Sequence, residues 1–424
     1  METVVPADRD AACDLMQELA ADAQSMRIRG GGTKLGWGAP VTDAGLEVST
    51  AQLDRVVEHN EGDFTAVVEA GVPMAELQEL FSRAGQRFAL DPPLGLADQA
   101  TIGGVVACAD AGPLRHRYGT ARDLILGVTV VLPDGALAKA GGKVIKNVAG
   151  YDLPKLYAGS FGTLGLIVEV VLRLHPLPER TVTVSGASND PDAIYAAARR
   201  LADSPLEPEA LDVRWGGHQA SATAPPDGDH ALEDGSGESK AAGDGNGEVD
   251  GDRGGGADDG AVLIRLVGAE ASALAERART LIAEEGLAVE VTEGEEQAWR
   301  AQRQRQRSQS GAVVRVSAVP VRLPEVLRSA RDLGAGLVGR AAHGVSWLCL
   351  DRRSDDDLID AIARLRADYS PACCAVLDAP ETVRRRLDPF GLDGLAEQRL
   401  MASVKSRIDP GNACNPGLMG AGIG

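Results

Sequence analysis

Hydrophobic and polar positions in the first part of the chain alternate between a helical and a strand-like period. Apolar residues at helical spacing predict helices over 8–23 and 72–85. Runs rich in valine and isoleucine predict strands at 45–50, 64–71, 124–132 and 166–174, the last apolar throughout and therefore buried. The turn Pro133-Asp134-Gly135 predicts that the third run continues into a hairpin. These elements indicate a first domain at 1–180.

Beyond Pro178, short strands and helices alternate, which is typical of an α+β domain. Strands are predicted at 181–186, 211–215, 261–268, 313–319, 345–350 and 373–378. Helices are predicted to begin at Asp190-Pro191 and to span 271–285, 323–333, 354–368 and 394–407. A polar helix containing RAQRQRQRSQ precedes the strand at 313–319, and we expect its arginines to form a solvated face, with an acidic partner subunit as the alternative contact. The second domain is expected at 181–400.

The end of the chain, 401–424, contains DPGNACNPG, with two proline–glycine turns in close succession. Proline fixes φ and glycine supplies positive φ, so the two turns predict a rigid hook. We expect this C-terminal hook to return to the first domain. The pattern as a whole predicts the α+β fold class.

The composition fits a soluble globular chain with an acidic bias. The 424 residues are 44% apolar, which is enough for two or three domains with substantial cores. The formal charge of -19 makes nucleic acid a poor candidate partner. Much of the acidity is local, because residues 221–260 contain eleven Asp or Glu and two Lys or Arg. Since the stretch 216–260 lacks the apolar residues that offset ordering entropy, we expect a disordered, acidic, glycine-rich insertion there.

The cysteines and the N-terminus restrict the class of protein further. The six cysteines form no CxxC pair, so we expect neither an iron–sulfur cluster nor a zinc ribbon, and no metal site. His343 has no second histidine nearby and is expected to be a hydrogen-bonded structural residue. The first residues carry acids where a secretory signal needs a basic start, and no run approaches the ~20 apolar residues of a spanning helix. We expect a cytoplasmic protein, either free or peripheral to the membrane through partner subunits.

Three glycine clusters carry the candidate chemistry of the first domain: 29–38, 101–112 and 159–165. Consecutive glycines leave backbone N–H groups uncovered, and the first cluster adds the Thr33 hydroxyl and the Lys34 charge, which suits a pyrophosphate. For each cluster alone, a tight turn or close packing between backbone segments remains the alternative. Three clusters together favour one long ligand.

Two common nucleotide motifs fit poorly. The glycines of the first cluster imitate a Rossmann fingerprint, but no long strand precedes them. The step Gly141-Gly142-Lys143 has Val144 where a phosphate loop needs Ser or Thr. A nucleotide triphosphatase is therefore rejected.

The three clusters, in this order and spacing, resemble the flavin-binding domain of the vanillyl-alcohol oxidase and para-cresol methylhydroxylase (PCMH) family. The phrase KNVAGYDLPKLYAGSFGTLG makes the likeness strongest to the E-subunit group of glycolate oxidase. The resemblance covers residues 20–180 and the ending DPGNACNPG, and the middle of the chain only in general architecture. It implies a two-subdomain PCMH-type FAD-binding domain followed by a second α+β domain that acts as a substrate or cap-like domain.

The cofactor implied by the resemblance is non-covalent FAD. Family members often attach flavin through a histidine in the first glycine loop, where this chain has Thr33, and Cys108 has no matching histidine loop and is expected to be a small buried residue. The implied FAD-binding residues are Gly30, Gly31, Gly32, Thr33 and Lys34 at the pyrophosphate, Thr101, Ile102, Gly103, Gly104 and Ala107 along the dinucleotide, and Gly162, Gly165 and Ile167 completing the cradle.

Two departures from the family concern catalysis. Relatives that oxidise 2-hydroxy acids carry GSEGTLG where this chain has GSFGTLG, so Phe161 replaces a carboxylate. They also carry a histidine-rich HxGDGNxH-type segment where this chain has RAAHGVSWLCL, which leaves His343 alone. Residues whose chemistry suits a base or a carboxylate site, without an assigned catalytic role, are Arg115, His116, Arg117, Lys146 and Tyr151.

The resemblance implies an FAD-binding subunit of a glycolate oxidase complex, which converts glycolate, a small 2-hydroxy acid, to glyoxylate. Its partners would be a catalytic flavoprotein subunit and a separate iron–sulfur subunit. Two alternatives stay open: a stand-alone FAD-dependent D-2-hydroxy-acid dehydrogenase, and a non-catalytic scaffold subunit that retains the fold.

Overall fold

The structure is a computed structural model that describes residues 1–42, 44–144, 152–216, 259–294, 296–371, 373–392, 394–420 and 423. The insertion expected at 216–260 lies outside these residues apart from its two ends, and so do Lys146 and Tyr151. Within the described part of the chain, no helix is both long enough and apolar enough to cross a membrane.

The elements alternate along the whole described chain. The strands are β1 Glu2–Val4, β2 Met26–Arg29, β3 Leu46–Ser49, β4 Val56–Asn60, β5 Thr65–Glu69, β6 Gln86–Arg87, β7 Ile125–Val131, β8 Leu137–Gly141, β9 Leu166–Arg173, β10 His175–Pro176, β11 Thr181–Ser188, β12 Ala210–Trp215, β13 Gly260–Val267, β14 Ala288–Glu293, β15 Ala312–Ser317, β16 Gly336–Arg340, β17 Val345–Leu350 and β18 Cys373–Val376. The helices are α1 Arg9–Ala21, α2 Met74–Arg83, α3 Ile102–Cys108, α4 Arg115–Tyr118, α5 Ala121–Leu124, α6 Pro154–Tyr157, α7 Pro191–Ala202, α8 Ala271–Glu284, α9 Glu296–Gln304, α10 Leu323–Asp332, α11 Asp355–Tyr369, α12 Glu381–Arg384 and α13 Ala396–Ile408. Short 3₁₀ turns span Leu96–Asp98, Pro320–Arg322 and Ala341–His343.

The first domain is organised around β9, the centre of an antiparallel sheet of order β4-β5-β9-β7-β8. Its side chains are buried on both faces. Ile167 and Leu172 pack in a core with α2 and α3, and Leu166 and Val168 pack in a second core with α1. A strand covered on both faces needs no polar face, which explains why this run is apolar throughout.

A small parallel sheet, β1-β3-β2, lies on the other side of that second core. Helix α1 covers it with Ala12, Met16 and Leu19, the residues at helical spacing. The Asp8 side chain caps α1 by accepting a hydrogen bond of 2.9 Å from the Ala11 amide. The chain leaves β2 directly into the first glycine cluster, so this sheet fixes where the cluster begins.

The second domain is an eight-stranded antiparallel sheet of order β14-β11-β13-β12-β16-β17-β15-β18. One face packs in a large apolar core with α7, α8, α10 and α11. The other face carries polar and aromatic side chains, among them Asp212, Arg340 and Trp347, and it lies against the first domain. Alternation along β12 and β16 therefore separates a structural face from a face available for chemistry.

The predicted α+β class is confirmed, and the strands and helices expected from the pattern are present. Strands β4, β14 and β16 and helix α3 were not predicted. β14 is an exposed edge strand rich in glutamate, and β16 contains Gly336 and Gly339, so neither shows a clear apolar alternation. Helix α3 forms within the second glycine cluster because Thr101 caps it.

Candidate functional site

The main cleft of the described structure passes between the glycine clusters and has an empty volume of about 870 Å³, part of it open to solvent. Its wall contains twelve of the thirteen residues expected at a cofactor: Gly30, Gly31, Gly32, Thr33, Lys34, Thr101, Gly103, Gly104, Ala107, Gly162, Gly165 and Ile167. Ile102 is buried in the neighbouring core and does not line the cleft. The structure thus brings three separate clusters to one cavity.

The first glycine loop is fixed by close packing as well as by its exposure to the cleft. A Cβ at Gly31 would lie 1.7 Å from the Gln99 carbonyl oxygen, and a Cβ at Gly30 would lie 2.3 Å from Thr101 Oγ1. Gly32 has a φ of +73°, in the left-handed region that favours glycine. The sequence left open whether these glycines serve close packing or contact with a ligand. The loop does both, because one side of it packs against the chain and the other side lines the cleft.

The second cluster presents its open side through Gly104. A Cβ at Gly103 would meet Ala70 Cβ at 2.6 Å, so this glycine permits α3 to approach β5 closely. At Gly104 a Cβ would meet only Thr101 Oγ1, at 3.3 Å, and the Gly104 amide donates to that oxygen. The small residues of this cluster leave the wall of the cleft flat.

Lys34 makes an ion pair inside the protein. Its Nζ lies 3.2 Å from Asp110 Oδ2, and the two side chains are 5% and 3% exposed. Nζ also donates to the Pro93 carbonyl oxygen at 3.4 Å and lies 5.8 Å from the Trp37 ring centroid. Asp110 thus neutralises the charge of Lys34, which the sequence predicted would contact a pyrophosphate.

The third cluster is held in place by the C-terminal segment. Phe161 has a φ of +55°, unusual for a bulky residue, and its carbonyl oxygen accepts a hydrogen bond of 2.8 Å from Asn415 Nδ2. Asn415 Oδ1 accepts a second bond of 2.8 Å, from the Ile28 amide at the start of the first cluster. Asn415 and Leu418 also line the cleft. One side chain near the C-terminus therefore joins two of the glycine clusters.

Lys405 anchors the same segment. Its buried Nζ donates to the carbonyl oxygens of Thr163 and Cys414, each at 2.9 Å, and to Asp409 Oδ2 at 2.5 Å. Cys414 forms a parallel bridge with Met26 beside β2. All three N–H donors of the Lys405 ammonium have an acceptor, so these bonds offset the desolvation cost of burying its charge. The hook is therefore held in place by a stable contact.

The arginine-rich segment does not form the solvated face that its polarity predicted. Arg307 Nε donates to Asp378 Oδ2 at 2.7 Å, and its Nη2 donates to the Thr33 carbonyl oxygen at 2.9 Å. Arg303 lies 3.4 Å from Asp91 Oδ2. The prediction was wrong because the segment lies between the domains, where carboxylates distant in sequence neutralise it.

Asp378 links this arginine to the cleft. Trp37 Nε1 donates to Asp378 Oδ1 at 2.9 Å, and the Arg307 guanidinium lies 5.3 Å from the Trp37 ring centroid. Trp37 packs in an apolar cluster with Trp347 of β17, against which Cys108 and Phe161 also pack. The cleft therefore ends at the polar face of the second domain's sheet.

A group of basic side chains, here called the cationic cluster for its three arginines, lies at that face. It consists of Arg115 and His116 of α4, Arg315 of β15, Arg340 of β16 and His343. In the described ranges, neither Arg115 nor Arg315 makes an ion pair, and the buried Arg315 Nε has no hydrogen-bond partner. Burial, together with Arg315 and Arg340, lowers the pKa of Arg115. Two arginines of the cationic cluster thus lack an ion-paired carboxylate among the described residues.

The two histidines of the cationic cluster lie edge to face, with ring centroids 5.4 Å apart. Burial and the His343 ring lower the pKa of His116 to about 4, and burial and Arg115 lower the pKa of His343. Both imidazoles are therefore neutral at pH 7. His343 was expected to be hydrogen-bonded, but among the described residues its side chain makes a ring contact instead, because α4 returns to it from a distant part of the chain.

Arg340 is the paired member of the cationic cluster. Its Nη1 lies 2.7 Å from Asp212 Oδ2, its Nε donates to the Gly112 carbonyl oxygen at 3.1 Å, and its guanidinium lies 4.8 Å from the Trp347 ring centroid. Burial raises the pKa of Asp212 to about 6 despite this partner. Arg340 and Trp347 connect the cationic cluster to the apolar end of the cleft.

Cys108 lines the cleft as a neutral thiol. Burial raises its pKa to about 12, so it has little thiolate character at pH 7. No group of three or more His, Cys, Asp or Glu that could hold a metal ion occurs in the part of the chain that the structure describes.

Sequence reasoning missed several residues of this site: Thr50, Trp37 and Asn415 in the cleft wall, and Arg307 and Arg315 at the domain contact. Arg307 and Arg315 lie in segments whose local pattern is that of an ordinary helix or strand. The NPG turn at 415–417 was a visible signal for the hook. It did not show that the Asn415 side chain hydrogen-bonds to Phe161 of the third cluster and to Ile28, next to the first cluster.

Comparison with known proteins agrees with the geometry of the cleft. Residues 2–141 match a family model described as FAD binding domain. The chain is 31% identical to an FAD-linked oxidoreductase of Mycobacterium tuberculosis over 207 residues. The aligned part covers 49% of this chain and 44% of that protein. It is 32% identical over 174 residues to the glycolate oxidase subunit GlcE of Escherichia coli, 41% of this chain and 49% of that one. A D-lactate dehydrogenase of Archaeoglobus fulgidus is 36% identical over 184 residues, 42% and 41% of the two chains. The chain thus spans less than half the length of each of these relatives.

Among solved structures, an alkyldihydroxyacetonephosphate synthase superposes with a TM-score of 0.65 over 98% of this chain and 76% of that one, at 15% identity. This likeness concerns the fold. It extends through both domains, whereas the family model covers only the first.

Proposed function

We propose, from the premise that residues 2–141 form an FAD-binding domain of the PCMH type, that this chain is an FAD-dependent oxidoreductase subunit that oxidises a small 2-hydroxy acid. The observation that carries the proposal is the cationic cluster on the side of the second domain's sheet where the cleft ends. Arg315 of β15 lies opposite Trp347 of β17, and Trp347 packs in one cluster with Trp37 of the cleft wall. Arg115 and Arg315 make no ion pair among the described residues, and Arg315 Nε has no hydrogen-bond partner there. A substrate carboxylate would neutralise them.

The cleft residues fit the cofactor. Gly104 leaves the wall flat, and Gly32 has the positive φ of an anion-binding loop. We propose that the residues of the three glycine clusters hold FAD without a covalent bond. The charge of Lys34 acts there jointly with that of Asp110. Bound FAD supplies the two-electron acceptor for the hydride equivalent that leaves the hydroxyl-bearing carbon.

The cationic cluster also supplies a proton acceptor. His116 is neutral, and an uncharged imidazole nitrogen can accept the substrate's hydroxyl proton. Its pKa of about 4 makes it a weak base in the free protein. A carboxylate bound between Arg115 and Arg315 would favour the protonated imidazole and raise that pKa towards neutrality. Substrate binding and proton transfer would then be coupled through one cluster.

The finer part of the proposal concerns the assembly. Similarity to the glycolate oxidase subunit GlcE supports glycolate as the substrate and a subunit role. We propose a catalytic flavoprotein subunit and a separate iron–sulfur subunit as the partners. Phe161, whose ring contacts Trp37 and Phe390, occupies the position where the oxidising relatives carry a carboxylate. That difference favours a chain that works with a partner over one that turns over alone.

The experiment is anaerobic flavin absorbance of the FAD-loaded chain, titrated with glycolate, D-lactate and the non-reactive dicarboxylate oxalate. Loss of the flavin bands with glycolate, or a saturable oxalate-dependent change in them, supports the anion site. Replacing Arg315 with Met keeps an unbranched apolar stem and removes the guanidinium, and should weaken oxalate binding about 10- to 100-fold, the range for a charge-assisted hydrogen bond.

The matched control is Arg328→Met, which removes an exposed guanidinium paired with Asp192 on the far side of the second domain. It should leave oxalate binding unchanged. Absence of both bleaching and an oxalate response in flavin-loaded protein would refute a substrate site in this chain, and the non-catalytic scaffold would then stand.

A further inference from the structure

Thr50 has a buried hydroxyl that the protein does not use. The residue follows β3, is 4% exposed and lines the cleft. Its Oγ1 has no hydrogen-bond partner among the described residues. No other described residue lining the cleft has a buried side-chain oxygen or nitrogen without a partner. Buried hydroxyls are nearly always hydrogen-bonded, so an orphan in a binding cleft points to a ligand.

The position of this hydroxyl is set by the backbone. The Thr50 amide donates to the Arg29 carbonyl oxygen at 3.0 Å, and the Thr50 carbonyl oxygen accepts from the Leu53 amide at 2.9 Å. A Cβ at Gly71 would lie 2.0 Å from that same carbonyl oxygen, so the neighbouring segment is packed directly on it. The backbone of Thr50 is therefore fully bonded and tightly packed, and the hydroxyl is the one polar group of this residue without a partner among the described residues.

The two ends of the cleft differ in what surrounds them. Trp37, Cys108 and Phe161 lie at the end that touches the second domain. Thr50 lies with Ala70 and Gly103, which belong to the first domain. If the reaction takes place beside the cationic cluster, as in the proposed function, the flavin ring lies at the second-domain end. The other half of the cofactor then extends towards Thr50.

We propose that the Thr50 hydroxyl donates a hydrogen bond to an oxygen of the AMP half of FAD, the part that FMN lacks. Arg29, which holds the Thr50 amide, immediately precedes Gly30 of the first glycine loop, so the hydroxyl stands beside the loop that suits the pyrophosphate. Thr50 is thus a positioning residue for the cofactor that the glycine pattern does not reveal.

The test measures cofactor affinity of the apoprotein by calorimetry, with FAD and FMN as the two probes. Thr50→Val keeps the shape and removes the hydroxyl. It should weaken FAD binding about tenfold, the effect of one hydrogen bond to a charged acceptor, and leave FMN binding unchanged because FMN lacks the adenosine monophosphate portion. Thr50→Ser should restore most of the FAD affinity. The melting temperature of apo Thr50→Val should not fall, since no protein partner is lost.

The matched control is Thr129→Val, in β7 outside the cleft, where the lost hydroxyl donates to Glu169 at 3.0 Å. It should lower the melting temperature and leave FAD affinity unchanged. Equal losses for FAD and FMN in Thr50→Val would place the contact on the flavin half and overturn the proposal, as would an unchanged FAD affinity. The assay contains no 2-hydroxy acid, so a failure of the proposed oxidation cannot produce or mask either result.

Discussion

Replacement of Asn415 by alanine tests whether the C-terminal hook is part of the cofactor site. The side chain makes two hydrogen bonds, from the Ile28 amide to Oδ1 and from Nδ2 to the Phe161 carbonyl oxygen, each at 2.8 Å. Asn415 is 5% exposed, so alanine would leave both backbone groups without a partner in a site that water reaches poorly. An unsatisfied buried group costs about 1–3 kcal/mol, so the loss of both side-chain bonds should cost about 2–6 kcal/mol.

Asparagine at this position also tolerates a φ of +47°, and alanine does so less well. Asn412, three residues earlier, has a φ of +49° and a buried Oδ1 without a hydrogen-bond partner among the described residues. Asn412→Ala therefore carries the same backbone penalty without the loss of the oxygen's bond. The difference between the two variants isolates the side-chain contacts of Asn415.

The assay is urea unfolding of both variants, followed by FAD titration of the folded proteins. Asn415→Ala should be less stable than Asn412→Ala by about 2–6 kcal/mol and should bind FAD more weakly, because Ile28 and Gly162 both line the cleft. Equal stability of the two variants would refute the reasoning, since it would show that only backbone conformation matters at these positions.

Two further predictions concern buried charge and pH. Lys34→Met should lower stability by about 3–5 kcal/mol in the absence of FAD, measured by urea unfolding, because it leaves Asp110 buried without its cation; a loss below 1 kcal/mol would contradict the ion pair. Burial and nearby arginines lower the pKa of His175 to about 4 in the folded protein, whereas its pKa in the unfolded chain is near 6.5. The unfolded chain therefore binds the proton more tightly. The stability that neutral His175 contributes is present above about pH 6.5 and is lost as the pH falls towards 4. His175→Phe, which keeps a ring beside Tyr118, should flatten the rise of melting temperature between pH 4 and pH 6.5, and an unchanged slope would exclude His175 as its source.

The elements that the sequence predicted well are those whose burial follows a local rule. The run at β9 is apolar because both faces are covered, and α1 shows helical spacing because one face is. The edge strand β14 was missed because exposure removes the alternation on which such a prediction depends. Local pattern thus reports how an element is buried more reliably than whether it exists.

The candidate site divides in the same way. Glycine clusters are visible in the sequence because a flat wall and a positive φ each require a particular residue type at one position. The partners of Arg307 and Asn415 are set by contacts between segments far apart in the chain, such as Asp378 and Ile28. The polarity of the arginine-rich segment could not show that carboxylates at Asp91 and Asp378 would meet it in the interior. A count of charged residues along the chain does not show which of them form ion pairs between distant segments.

The C-terminal hook has a consequence for the order in which the cofactor site is made. During synthesis the glycine loops at 29–38 and 159–165 leave the ribosome long before Asn415 exists, and the whole second domain is translated in between. The wall of the cleft that Asn415 and Leu418 complete can close only after residue 418 has been synthesised. The cofactor can therefore bind the complete cleft only after both domains have been synthesised. A chain that stops before residue 415 has the glycine loops but not the complete cleft.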